Sequence, residues 1–160
     1  MKKYLNYIIL AASLVFGVLA LALMAAPGVK IEGILDTYKI SSFEIMTGES
    51  STYLVGNMSQ ETSVGMVFAL IFAILGVIAP IALCALKALK VKKVPYGIIA
   101  FACAAVALVA GILLFCAKTF FLAGNNDFDG LTLGVGAVFA GIFGVLNACA
   151  LGFFGVKNMK

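Results

Sequence analysis

Apolar residues run almost unbroken through four stretches of the chain, about 5–26, 64–86, 96–117 and 131–156, and polar residues are confined between them. At ~1.5 Å rise per residue the first stretch reaches about 33 Å, enough to cross a ~30 Å hydrocarbon core. The other three are as long or longer, so the pattern predicts four membrane-spanning helices. The one sizeable polar region, 27–63, opens with a different rhythm. Val29 and Ile31 alternate with Lys30 and Glu32, Tyr38 and Ile40 with Lys39 and Ser41, and Phe43 and Ile45 flank Glu44. Period-two alternation interrupted at Gly33 and Asp36-Thr37 predicts a small twisted sheet of two or three strands. Thr47–Ser63, rich in Ser, Thr and Gly, reads as looser chain.

Charge orients these elements. All eleven basic residues are lysines, and eight of them form three acid-free clusters: Lys2 and Lys3; Lys87, Lys90, Lys92 and Lys93; Lys157 and Lys160. The seven acids, Glu32, Asp36, Glu44, Glu49, Glu61, Asp127 and Asp129, all lie elsewhere. Short basic loops stay on the cytoplasmic side, so the inner loop is 87–95, both termini are cytoplasmic, and 27–63 and 118–130 are outer loops. Composition agrees: 64% hydrophobic and 11% charged residues, with a mean hydropathy of +1.17, belong to a protein of the lipid bilayer. Segregated charge of this kind argues against a nucleic-acid partner.

Features within the segments refine the picture. Lys2-Lys3 before an apolar run, with Ala20-Leu21-Ala22, has the look of a cleavable signal peptide, but the run exceeds the ~7–15 residues of a signal core, so a retained helix is expected. Pro80 inside the second segment has no N–H to give the Gly76 carbonyl, which predicts a kinked helix and a freed acceptor. Lys118–Leu122 should lie at the outer interface, Lys118 snorkelling toward headgroups. Gly124–Gly130 reads as a tight turn rather than a cation loop, since it lacks the length and terminal Glu of an EF-hand. Asn57-Met58-Ser59 has the form of a glycosylation sequon.

The fourth segment carries small residues at every fourth position, Gly136, Ala140, Gly144, Ala148 and Gly152, and a second set at every seventh, Gly134, Gly141, Ala148 and Gly155. Apolar burial cannot drive helices together within lipid, so close backbone approach must. The fourth helix is therefore expected at the centre of the bundle or against a second copy. Gly65, Ala69 and Ala73 on the second segment, and Cys103, Ala107 and Gly111 on the third, offer matching faces.

Candidate chemistry is sparse. No ionisable residue occupies a helix centre, which removes the usual basis of proton relays and ion pathways. Asn147 and Ser13 are the strongest polar groups at depth, read as an interhelical bond worth ~0.6–2 kcal/mol in preference to a pore lining. Small four-helix multidrug exporters couple through a membrane glutamate that this chain lacks. Without histidine there is no haem ligand, no proton shuttle near neutral pH and no Ser/His/Asp set. Cys84, Cys103, Cys116 and Cys149 lie in apolar segments without a C-x-x-C pair and read as small hydrophobes. No catalytic, cofactor-binding or metal-ligating residues are assigned.

The longer β-rich first outer loop and short second one resemble the claudin-type tetraspan plan in topology, without that family's loop tryptophan and disulfide. A broader resemblance, carried by Tyr38–Gly48, Phe115–Phe120 and Leu131–Ala137, is to uncharacterised four-helix integral membrane proteins of Firmicutes and related bacteria; it implies architecture alone. The reading is thus an all-α membrane protein, a four-transmembrane-helix bundle of one domain with a small extracellular β-rich cap, multi-pass in a bacterial plasma membrane. Its expected role is that of a non-enzymatic structural or accessory subunit whose cap, Val29–Met46, meets the cell envelope or a partner, a membrane protein or a second copy, through Tyr38, Ile40, Phe43 and Ile45. An oligomeric small channel or transporter, with the small-residue face of the fourth helix near the pore, is the alternative.

Overall fold

Side chains that must leave water or lipid determine where each element begins and ends. The computed structural model describes residues 2–32, 37–48, 52–53, 56–57, 63–89, 91, 94–123 and 131–159. It is mostly helical, with four helices long and apolar enough to cross a membrane. These are α1 (Lys2–Leu23), α3 (Val64–Ala88), α4 (Tyr96–Phe115) and α6 (Val135–Lys157). They pack chiefly in the ring α1–α3–α4–α6, with a lighter α3–α6 contact across it, and the α4–α6 and α1–α6 contacts are the most extensive. Between them come β1 (Pro27–Glu32), β2 (Thr37–Ser41), α2 (Ser42–Thr47), the short pair β3 (Thr52–Tyr53) and β4 (Gly56–Asn57), α5 (Ala117–Ala123) and β5 (Leu131–Leu133).

The cap differs from the sequence reading in three ways. Residues 42–47 are helix, although Phe43, Glu44 and Ile45 continue the strand alternation. The Ser41 Oγ accepts the Glu44 N–H at 3.2 Å, and the Glu44 carboxylate accepts the Ser41 N–H at 2.6 Å. This capping box satisfies two backbone donors that a strand end would leave open, and Gly48, at φ 69°, closes the helix with its N–H on the Glu44 carbonyl.

The third strand comes from the second loop. Antiparallel β5 pairs with β1 (Val29 opposite Leu133, Ile31 opposite Leu131), giving the order β2-β1-β5. Leu131–Leu133 therefore does not open the fourth helix, which starts after Gly134. The Gly134 N–H donates to the Gly28 carbonyl at 2.7 Å, and a side-chain carbon at Gly134 would collide with the Pro27 carbonyl. No other residue fits there.

The third difference is at 117–123, where α5 follows a break at Cys116 and turns Ala117 and Phe121 inward. Its Phe120 ring lies against Gly65, where any side chain would clash. The turn at 33–36, the loop at 124–130, Lys90, Lys92 and Lys93 of the basic loop and the sequon residues Met58 and Ser59 lie outside the described residues.

Two hydrophobic clusters fill the interior. The first joins cap and bundle: Met24, Val29, Ile40, Ile45, Met66, Phe121 and Leu131 pack on Leu114, Ala110, Ala137 and Ala140. The second, toward the basic end, is leaner, with Ala79, Ala100, Ala104, Ala107 and Ala148 around Leu10, Leu83, Leu151 and Phe154.

Candidate functional site

The five small residues of α6 turn toward the rest of the same chain. A carbon added at Gly136 would lie 2.6 Å from the Ala26 carbonyl carbon, and one at Gly144 would lie 2.9 Å from the Gly111 Cα. Ala140 and Ala148 are buried, and Gly152 looks toward Ala104. The reciprocal fit of Gly111, whose added carbon would approach the Gly141 carbonyl at 3.0 Å, brings the α4 and α6 backbones into contact.

Beside this seam lies a polar node. The Asn147 Nδ2 donates to the Gly76 carbonyl at 3.1 Å, and the Ser13 hydroxyl donates to the Asn147 Oδ1 at 2.5 Å. Gly76 is the residue whose carbonyl Pro80 leaves without its helical donor. One amide thus links α1, α3 and α6 and satisfies the acceptor that the proline orphaned. Ser13 is 0% and Asn147 2% exposed, so neither has water as an alternative. Glycine makes the space: a carbon at either Gly17 or Gly76 would come within 3.0 Å of the Asn147 nitrogen.

Of the four cap residues expected to meet a partner, two are buried instead. Ile40 is 3% and Ile45 0% exposed, both in the core shared with the bundle. Phe43 is half-buried against the same core. Tyr38 pairs with Ile31 in the sheet, and its side chain lies outside the described residues. The correction has a simple cause. The apolar alternation marks the face that packs on the helix tops, so the open face carries the intervening residues. On it Lys39 lies directly opposite Lys30, which is opposite Thr132. Lys39 and Thr132 are exposed.

At the far end of the bundle, Lys87 reaches across from α3 to α6. Its ammonium donates to the Asn158 Oδ1 at 2.6 Å and lies 4.8 Å from the Phe154 ring centroid and 5.9 Å from that of Tyr96. The Asn158 amide nitrogen donates in turn to the Phe154 carbonyl at 2.7 Å. A wholly different surface opens between α1 and α3, an apolar groove of about 410 Å³ bordered by Leu10, Leu14, Pro80, Ile81 and Cys84.

Among the described residues no three His, Cys, Asp or Glu side chains gather as metal ligands, and the four cysteines are free thiols. Compared with protein-family models, with curated proteins and with solved structures, the chain matches none.

Proposed function

We propose that the chain is a non-enzymatic accessory subunit of a bacterial plasma membrane, with both termini cytoplasmic and the cap outside, where it meets a partner protein. The observation that carries this reading is the open face of the cap sheet. Lys30 and Lys39 are paired directly across the strands, with Thr132 alongside. Like charges directly opposite on a sheet are unfavourable, and an acidic partner surface relieves the repulsion. The shared core behind the sheet fixes this face relative to the helices, as a docking surface requires.

The channel alternative draws less support. It needs the small face of α6 at a pore, and that face is occupied by Ala26, Ala104 and Gly111 of the same chain.

The test replaces Lys39 with a photo-crosslinking residue in the full chain, in its native membrane. The reading predicts a single heterologous adduct that disappears when Lys30→Glu is added. An adduct insensitive to that charge reversal, or a homo-oligomer that conducts ions in liposomes, would refute it.

A further inference from the structure

The far end of the bundle holds positive charge that no described side chain balances. The Lys157 ammonium is buried, with no hydrogen-bond partner among the described residues. Lys87 reaches Asn158, the residue that follows Lys157, and the two like charges oppose each other. Two ammonium groups offer six N–H donors, and the Asn158 oxygen accepts from Lys87 alone. The acidic side chains nearest in sequence, Glu61 and Asp129, precede the other ends of α3 and α6. A buried ammonium without an acceptor is strongly unfavourable, so this arrangement calls for an anion.

The geometry favours one that is already shaped. Lys87 is held by Asn158, Phe154 and Tyr96, so its position is set before any ligand arrives. Both lysines lie in the last turns of helices long enough to cross a bilayer, where the ends of spans meet lipid headgroups. We propose that Lys87 and Lys157 bind a phosphate group, and that its source is the headgroup of an anionic phospholipid. The phosphate oxygens accept the unused ammonium hydrogens of both lysines and remove their mutual repulsion. The tail lies along the apolar helix surface.

The experiment places the full chain in nanodiscs of phosphatidylcholine with or without phosphatidylglycerol and counts lipids retained after release, by native mass spectrometry. The wild type should keep phosphatidylglycerol in preference to phosphatidylcholine, with retention roughly tenfold lower in a K87Q/K157Q variant. Lys118→Gln, at the other end of the bundle, should retain as much as wild type. The circular dichroism spectrum in phosphatidylcholine nanodiscs verifies that each variant is folded. Equal retention of the two lipids, or undiminished phosphatidylglycerol in the double variant, would overturn the proposal. A separate arm adds inorganic phosphate to phosphatidylcholine nanodiscs. Stabilisation there, without phosphatidylglycerol retention, would overturn the lipid as the source and assign the pair to free phosphate.

Discussion

Two seams of the same bundle are built in opposite ways. Between α4 and α6, Gly111 and Gly144 leave nothing between the backbones, and a single added carbon at Gly144 would lie 2.9 Å from the Gly111 Cα. Between α1 and α3, the helices part around Pro80 and leave an apolar groove of about 410 Å³. Neither seam can rely on the hydrophobic effect within lipid, so contact area and polar bonds decide which holds. The α4–α6 seam has the contact area. The α1–α3 seam has the Asn147 amide, which reaches in from α6 to hold the Gly76 carbonyl and the Ser13 hydroxyl together. Close packing and a directed hydrogen bond are alternative ways to join helices, and this chain uses each where the other is missing.

The most severe effect is expected at Gly144. Gly144→Leu forces a side chain into the Gly111 backbone, and we expect a loss of about 3 kcal/mol, read as a lowered unfolding midpoint in detergent. Asn147→Ala should cost less, about 1–2 kcal/mol, because it leaves the Gly76 carbonyl and the Ser13 hydroxyl buried without their partner.

A finer test adds Pro80→Ala to Asn147→Ala. An alanine in place of the proline restores the N–H that the Gly76 carbonyl lacks, so the double variant should recover roughly 0.5–1 kcal/mol over Asn147→Ala alone. No recovery in such a double-mutant cycle would mean that the amide is not compensating the proline. The smallest effect is expected in the open seam. Ala85 also borders the groove, so Ala85→Leu projects into open space and its stability should stay within about 0.5 kcal/mol of wild type, against the large loss for the same kind of enlargement at Gly144.

The helices were legible because a span leaves a long apolar run that nothing else produces. Pro80 was equally informative, since the freed Gly76 carbonyl and the bonding capacity of Asn147 were both readable. Their meeting was not, because one sequence does not say which faces of which helices touch. In the cap, two real signals competed. Ser41-Ser42-Phe43-Glu44 has the spacing of a capping box, while Phe43, Glu44 and Ile45 continue a strand alternation. Two satisfied backbone donors decided for the helix. Leu131-Thr132-Leu133 was hidden for a different reason. Its apolar residues merge with the run that follows, and only the space available at Gly134 reveals where sheet gives way to helix. Ile40 reads as an apolar cap residue, but apolar positions in a two-faced sheet are those it turns inward, and Ile45 joins the same core from α2.

The pairing of β1 with β5 also bears on how the protein is made. Synthesis delivers β1 early, directly after the first span, yet its edge at Val29 is completed only by Leu133, which emerges once two further spans have been produced. Through that interval the nascent cap has an open strand edge and a hydrophobic underside lacking Leu131. The last strand is followed immediately by the helix that carries Asn147. Closing the sheet and docking the final span are therefore neighbouring events on the ribosome, and a chain truncated before Leu131 would leave both undone.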